Sequence, residues 1–388
     1  MTGTWARTRA RERIEAIGAS PLGATAGGTG TSGAAPPDAM SLRRQVLDVL
    51  HEVIDFDAYV WLLTDPVTAV GSAPLADVPC LPELPALIKA KYATPVNRWT
   101  ALQHHPSATG RLHDAAGGEL SRSLVWREVL SRYGIGDVAS AVFADQFGCW
   151  GFLDLWRDRA REPFSSADAA FLASVAPHLT ATLRHCQAQT FLTPAAARRP
   201  GLGPVVLTLD EELRITSRTA ASQGWLDVLL PPRPDERAIP ASVYNVAAQL
   251  LAAEAGLDDH PASARVHLAG GLWLTLRAAR LASDEPAPGR GPGPRVRSAV
   301  SIVVTIEEAS AAERLDLFSR AFGLTAREQE LLGLLATGSD TRAMARQMSL
   351  SEHTVQDHLK SIFTKTSARD RVTVLSRALG IKTDPKKK

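Results

Sequence analysis

Apolar positions along the chain fall into three stretches of different rhythm. From Ser41, the residues Leu42, Val46, Val49, Leu50 and Val53 recur at helical spacing. Ala58–Leu63 is an apolar run closed by Asp65-Pro66, which predicts a strand and a turn. Ala139–Asp145 and Trp150–Trp156 predict two more strands around Gln146-Phe147-Gly148. A strong helix follows, with Phe171, Leu172, Val175, Leu179 and Leu183 on one face. Ser165 and Asp168 offer its N-terminal cap, and Pro177 predicts a kink inside it. The stretch 71–118 is weakly patterned and reads as loop. The first stretch is thus an α+β unit over residues 40–190.

A second α+β unit is expected over 200–308. Val205–Leu209 and Leu213–Ser217 predict short strands about Asp210-Glu211-Glu212, and Val246, Leu250 and Leu251 mark a helix. Val266–Leu268 and Leu272–Leu281 predict a pair of strands across Ala269-Gly270-Gly271. A Pro/Gly-rich loop over 283–294 leads to a last strand, Ala299–Ile306. Residues 309–323 are expected to be a connecting helix. At the other end, residues 1–39 are rich in Gly, Ala, Thr, Ser and Pro and predict a disordered tail. Its Arg7, Arg9, Arg11 and Arg13 either are simply solvated or touch nucleic acid. Met40 is an alternative start of translation, just before the first helical pattern.

The third stretch, 324–382, carries local signals throughout and is followed by a basic tail, 383–388. Thr325 and Glu328 form a capping box before Leu331, Leu332 and Leu335. Gly338 stops that helix. Asp340 caps a second helix, Thr341–Gln347, with Met344, Ala345 and Met348 inward. After a tight turn, Ser351 caps a third helix with an apolar face of Val355, Leu359, Ile362 and Phe363. A fourth, about Asp370–Leu379, is expected to bury Val372, Leu375 and Leu379. Four short helices with a three-residue turn between the second and third form a helix-turn-helix arrangement. The other face of the third helix holds His353, Gln356, Asp357, Lys360 and Thr364, and a helix of this width fits the DNA major groove.

Charge supports that reading only through its distribution. The whole chain is +2, but Leu324–Lys388 holds 12 Lys/Arg against 7 Asp/Glu, a net +5, which leaves the preceding residues at −3.

With that spacing intact, Leu324–Arg371 resembles the DNA-binding domain of the LuxR family. The matching positions include Leu324, Thr325, Glu328, Gly338, Ser351, Thr354, Val355, His358, Ile362, Lys365 and Arg371. The resemblance implies that Gln356, Asp357 and Lys360 face bases. It implies backbone contacts from Thr341, Arg342, Thr354 and Lys365. Gln356 stands where Lys is common, and Asp357 brings a negative charge that either accepts from a cytosine amino group or repels phosphate. Thr366-Ser367 replaces a usual Leu-Gly, and Ser339 replaces an apolar residue. By order of elements, 40–190 resembles a GAF domain and 200–308 a PAS domain. The expected fold class is therefore multidomain: two α+β sensor-like units followed by an all-α four-helix LuxR-type domain.

The remaining residues narrow the function. Cys80, Cys149 and Cys186 are too far apart for a CxxC pair. No apolar run approaches the length of a membrane span, and the N-terminal arginines have no apolar stretch behind them. His104, His105 and His113 with Asp114 fit no standard metal-ligand spacing. Trp61, Trp126, Trp150 and Trp156 read as core, with a ligand pocket as the alternative. No GxxxxGK[ST], receiver-domain or catalytic constellation stands out. The expectation is a cytoplasmic, nucleoid-associated transcription regulator rather than an enzyme, a homodimer on double-stranded DNA with no cofactor and no metal. Its N-terminal units bind a small molecule of unknown identity or a partner. In the alternative, they bind no ligand and serve only dimerisation and docking.

Overall fold

The computed structural model describes residues 2–17, 38–192, 205–229, 241–268, 272–281 and 301–380. The Pro/Gly-rich loop at 283–294, the turn at 269–271, the basic tail and residues 18–37 lie outside these residues.

The first unit is built on an antiparallel sheet of β1 (Ala58–Thr64), β2 (Gly71–Asp77), β3 (Thr109–Arg111), β4 (Ile135–Asp145) and β5 (Gly148–Asp158), in the order β2-β1-β5-β4-β3. Both faces are covered, so β4 and β5 are nearly continuous buried runs. Along β1, Trp61 and Leu63 turn toward one core, and Val60 and Leu62 toward the other. The first core is closed by helices α1 (Thr2–Ile17) and α2 (Ala39–His51), which precede β1, and by α7 (Ser166–Gln189), which follows β5. Asp38 caps α2, and α7 starts at the expected Ser165–Asp168 capping box. The opposite face carries α3 (Leu84–Ala93) and the short helices α4 (Trp99–Leu102), α5 (Leu112–Ala115) and α6 (Leu124–Glu128).

The start of the chain corrects the expectation of a disordered tail. Thr2–Ile17 is a helix whose Ala10 and Ile14 are fully packed against the first core. Arg7 reaches Asp168 at 2.5 Å, and Arg13 pairs with Glu52. Docking stabilises it, because an isolated helix of this length is marginal in water. The weakly patterned stretch also holds more than loop: β2 is a sheet-edge strand that tolerates Pro74, and α3 begins on Pro85.

The second unit repeats the strand order. β6 (Val205–Leu209), β7 (Ile215–Arg218), β8 (Ser263–Leu268), β9 (Leu272–Arg280) and β10 (Ile302–Glu308) form an antiparallel sheet ordered β7-β6-β10-β9-β8. Between β7 and β8 run α8 (Ser222–Leu229) and α9 (Ala241–Glu254). The second strand starts later than expected because Leu213 adopts a left-handed φ of 60° in the preceding turn. Val243, Val246 and Ala247 of α9 pack on Leu207, Leu274 and Val304, and the same cluster takes in Val70, Ile88 and Tyr92 of the first unit.

Helix α10 (Ala311–Ala321) then joins the sheets to α11 (Ala326–Ala336), α12 (Thr341–Met348), α13 (Glu352–Thr366) and α14 (Arg371–Leu379). Phe318 of α10 and Phe322, its C-cap, pack with Phe191 just beyond α7, which stacks on Trp273 of β9 at 5.3 Å. Beside this aromatic cluster, Arg265 of β8 makes a bidentate pair with Asp65 of the β1–β2 turn, at 2.6 and 2.8 Å, and reaches Asp316 of α10 at 2.8 Å. One guanidinium thus joins both sheets and the connecting helix. Asp65 is only 1 % exposed. Replacing Arg265 with Met leaves that carboxylate without its counter-charge, held only by the backbone amides of Val67, Thr68 and residue 265, and the expected loss is about 3 kcal/mol in denaturant unfolding. Asp65→Asn in the same background is expected to recover part of it; a loss under about 1 kcal/mol would show that Arg265 is not a structural tie.

Candidate nucleic-acid interface

Each helix of the C-terminal domain starts where a side chain can cap it. Thr325 and Glu328 form the capping box of α11; Asp340, Ser351 and Asp370 accept from the third residue beyond in α12, α13 and α14. Leu331, Leu332, Met344, Met348, Val355, Leu359 and Ile362 are buried together. In α13 Phe363 is only partly buried, and Thr366 completes the inner face. In α14 the buried residues are Val374 and Ala378; Val372 is 60 % exposed, and Leu375 and Leu379 are half-buried. The helix thus turns Val374 and Ala378 to the core in place of the expected Val372, Leu375 and Leu379.

On the outer face of α13, Gln356, Asp357 and Lys360 are all exposed and adjacent. Asp357 lies 3.6 Å from both His353 and Lys360, in pairs so exposed that they contribute little and can be exchanged for other partners. Gln356 donates to the Thr341 hydroxyl at 3.3 Å, and Arg371 donates to the same oxygen at 2.6 Å. Thr341 therefore ties the start of α12 to α13 and α14, and Arg371 is a positioning residue that the list of expected contacts did not include. Arg342 is exposed; Thr354 is half-buried and shares a 2.8 Å hydrogen bond with Ser351. His358 is half-buried.

Lys365 is placed differently from the other expected backbone contacts. Its ammonium lies 2.6 Å from the buried Glu328 and 3.3 Å from the Gly323 carbonyl. Burial pushes the Glu328 carboxyl up, but hydrogen bonds from Lys365, Ser361 and Thr325 outweigh this and hold it down at about 2. The capping box of α11 is thereby locked to α13. The Thr366-Ser367 departure also has a structural consequence. Ser367 ends α13 in the left-handed region at φ 50°, where glycine is free of strain.

The described residues also hold one cluster with metal-ligand geometry, Asp258, Asp259 and His260, and it does not involve His104, His105 or His113. Asp258 is already engaged by Arg98 and Thr100. Of the tryptophans, Trp61 is core and stacks on Phe143, whereas Trp156 lines a cavity of about 530 Å³ on the α3 side of the first sheet. No helix among the described residues is long and apolar enough to cross a membrane.

Capped helices around a small core, with one helix presenting a polar outer face, define a helix-turn-helix domain. Residues 323–378 match the family described as bacterial regulatory proteins, luxR family, so this segment is a LuxR-family helix-turn-helix domain. The chain is 41 % identical over 54 residues (14 % of this chain, 24 % of the relative) to the monoamine regulon transcriptional regulator of Klebsiella aerogenes. It is 31 % identical over 88 residues (22 % and 44 %) to the transcriptional regulatory protein DesR of Bacillus subtilis strain 168. The chain thus spans between a quarter and a half of the length of these curated relatives, both of which are named as regulators and not as enzymes. The crystal structure of Escherichia coli SdiA overlaps 99 % of this chain and 100 % of its own at 12 % identity, with a TM-score of 0.30.

Two stability effects follow from this geometry. Glu328 has a lower pKa folded than its ordinary 4.5, so its contribution is present above pH 4.5 and is lost as pH falls toward 2. Lys365→Met is expected to lower thermal stability at neutral pH and to shrink that acid-side loss; an unchanged melting profile would mean that the Lys365–Glu328 pair does not hold the domain. Ser367→Gly should raise stability by about 1 kcal/mol in chemical denaturation. A decrease would mean that Ser367 does not occupy the left-handed region.

Proposed function

We propose that this chain is a sequence-specific transcription regulator of the LuxR type that acts on double-stranded DNA. The observation that carries the reading is the exposed trio Gln356, Asp357 and Lys360 on α13 of a LuxR-family domain. In this reading α13 enters the major groove and the trio reads base edges, with Lys360 donating to a guanine and Gln356 pairing with an adenine. Thr341, Arg342 and Thr354 cluster at helix N-termini, where backbone amides and the helix dipole also favour phosphate. Lys365 contributes to phosphate attraction chiefly by holding α13 in place.

The domain plan follows: a GAF-like unit over 40–190, a PAS-like unit over 200–308, a connecting helix over 309–323 and the DNA-binding domain over 324–382. The repeated strand order of the two sheets supports a shared sensor-like role. The largely apolar cavity between the first sheet, α3 and α9 favours small-molecule binding over a purely docking role. The regulator works in the cytoplasm as a homodimer, because two copies of such a domain read two half-sites about one helical turn apart.

Anisotropy titrations of labelled duplexes with the full chain test the base-reading role. Lys360→Ala is expected to weaken binding to the preferred site by about 1–3 kcal/mol and to affect unrelated duplexes much less. Uniform weakening across all sequences would move Lys360 to the phosphate contacts. Absence of any salt-dependent DNA binding would end the reading altogether.

A further inference from the structure

The outer face of α13 has a centre, and the pattern of burial locates it. Successive residues of an α-helix are about 100° apart around its axis. On that count the buried residues Val355, Leu359, Ile362 and Thr366 all lie within about 40° of the direction opposite Asp357. Gln356 and Lys360 fall about 100° and 60° to one side of it. Thr364 is also near the centre, but its hydroxyl donates back to the Lys360 carbonyl at 3.0 Å. We propose that Asp357 accepts a hydrogen bond from the N4 amino group of a cytosine and so fixes one base of the target. This rests on the reading of α13 as the helix that enters the major groove, and it names the base that meets the middle of the helix face.

A carboxylate at that place selects by exclusion, because it offers acceptors only. In the major groove guanine presents N7 and O6 and thymine presents O4, all of them acceptors that repel a carboxylate. Adenine presents its N6 donor with the N7 acceptor beside it. Cytosine presents the N4 donor with no acceptor on its own edge.

The negative charge does not enter the groove unaccompanied. The Lys360 ammonium and the His353 ring each lie 3.6 Å from Asp357. Both pairs are exposed and exchangeable, so Lys360 can turn to a base and stay beside Asp357. In a G·C pair the guanine O6 and the cytosine N4 are neighbours, one an acceptor and the other a donor. An ammonium and a carboxylate side by side are the complement of that edge. The guanine contact of Lys360 and the cytosine contact of Asp357 are therefore mutually consistent, and the charge that Asp357 brings toward the phosphates is offset by Lys360.

The test selects bound duplexes from a randomised pool with the full chain and with its Asp357→Asn and Asp357→Ala variants, followed by anisotropy titrations of the selected motif. The side chain is exposed, so both variants are expected to fold, and Asp357→Ala provides a reading should the other fail. At one position of the motif the unaltered chain is expected to require cytosine, with about tenfold weaker binding for each other base. Asp357→Asn should move the preference at that position to adenine, whose N6 and N7 match a carboxamide, and leave the rest of the motif unchanged. Asp357→Ala should lose the preference there. A role in the fold alone would not exchange one base for another. A motif in which no position changes with either substitution would overturn this inference and leave the reading of α13 intact. So would an Asp357→Ala protein that binds every duplex more tightly by the same factor, which would make Asp357 a repeller of phosphate. No enriched motif with the unaltered chain would overturn both the inference and the reading of α13.

Discussion

The arrangement of the chain depends on how α10 is held. Its aromatic side, Phe318 and Phe322, is set into Phe191 and Trp273, and its polar side is tied through Asp316 to Arg265 and thence to Asp65. Burial of four large rings drives the contact, and the guanidinium fixes its direction, since a bidentate pair to a buried carboxylate tolerates little rotation. Arg320, farther along α10, donates to the Phe147 carbonyl in the β4–β5 turn, adding a third point of attachment. The helix that leads into the DNA-binding domain is thus a packed element shared by all three parts and not a free linker.

This has a consequence for regulation. β10 runs almost directly into α10, and α10 packs against α14 as well as α7, so a shift between the two sheets is felt at the base of the helix-turn-helix domain. The outer face of α13 remains exposed in this arrangement. In the proposed reading as a homodimer on DNA, regulation by this route would act on the relative placement of the two DNA-binding domains, and not by covering the outer face of α13. The Lys365–Glu328 pair and the Thr341 hydroxyl keep α11, α12, α13 and α14 as one body, so that such a shift is transmitted whole.

What could be read in the sequence divides by the range of the signal. The C-terminal helices were legible because caps are local: Thr325, Asp340 and Ser351 announce their helices within three residues. The central strands were legible because two-sided burial leaves unbroken apolar runs. Helix α1 was not, since its small apolar stripe of Ala10 and Ile14 becomes significant only once α2 and α7 are beside it. β2 and α3 were hidden by prolines that an edge strand and a first helical turn both accept. At the site, Gln356, Asp357 and Lys360 could be placed on one face by periodicity alone. The diversion of Lys365 to Glu328 could not, because it depends on a contact across 37 residues. The cavity was invisible for the same reason, as its wall joins residues from Met40 to Asn245.

The central claim is that α13 reads a particular DNA sequence. Selection of bound duplexes from a randomised pool by the full chain, at near-physiological salt, tests it most directly. The account predicts enrichment of one motif, with paired half-sites centred about one helical turn apart. Recovery of an unenriched pool, or of no DNA, would contradict it.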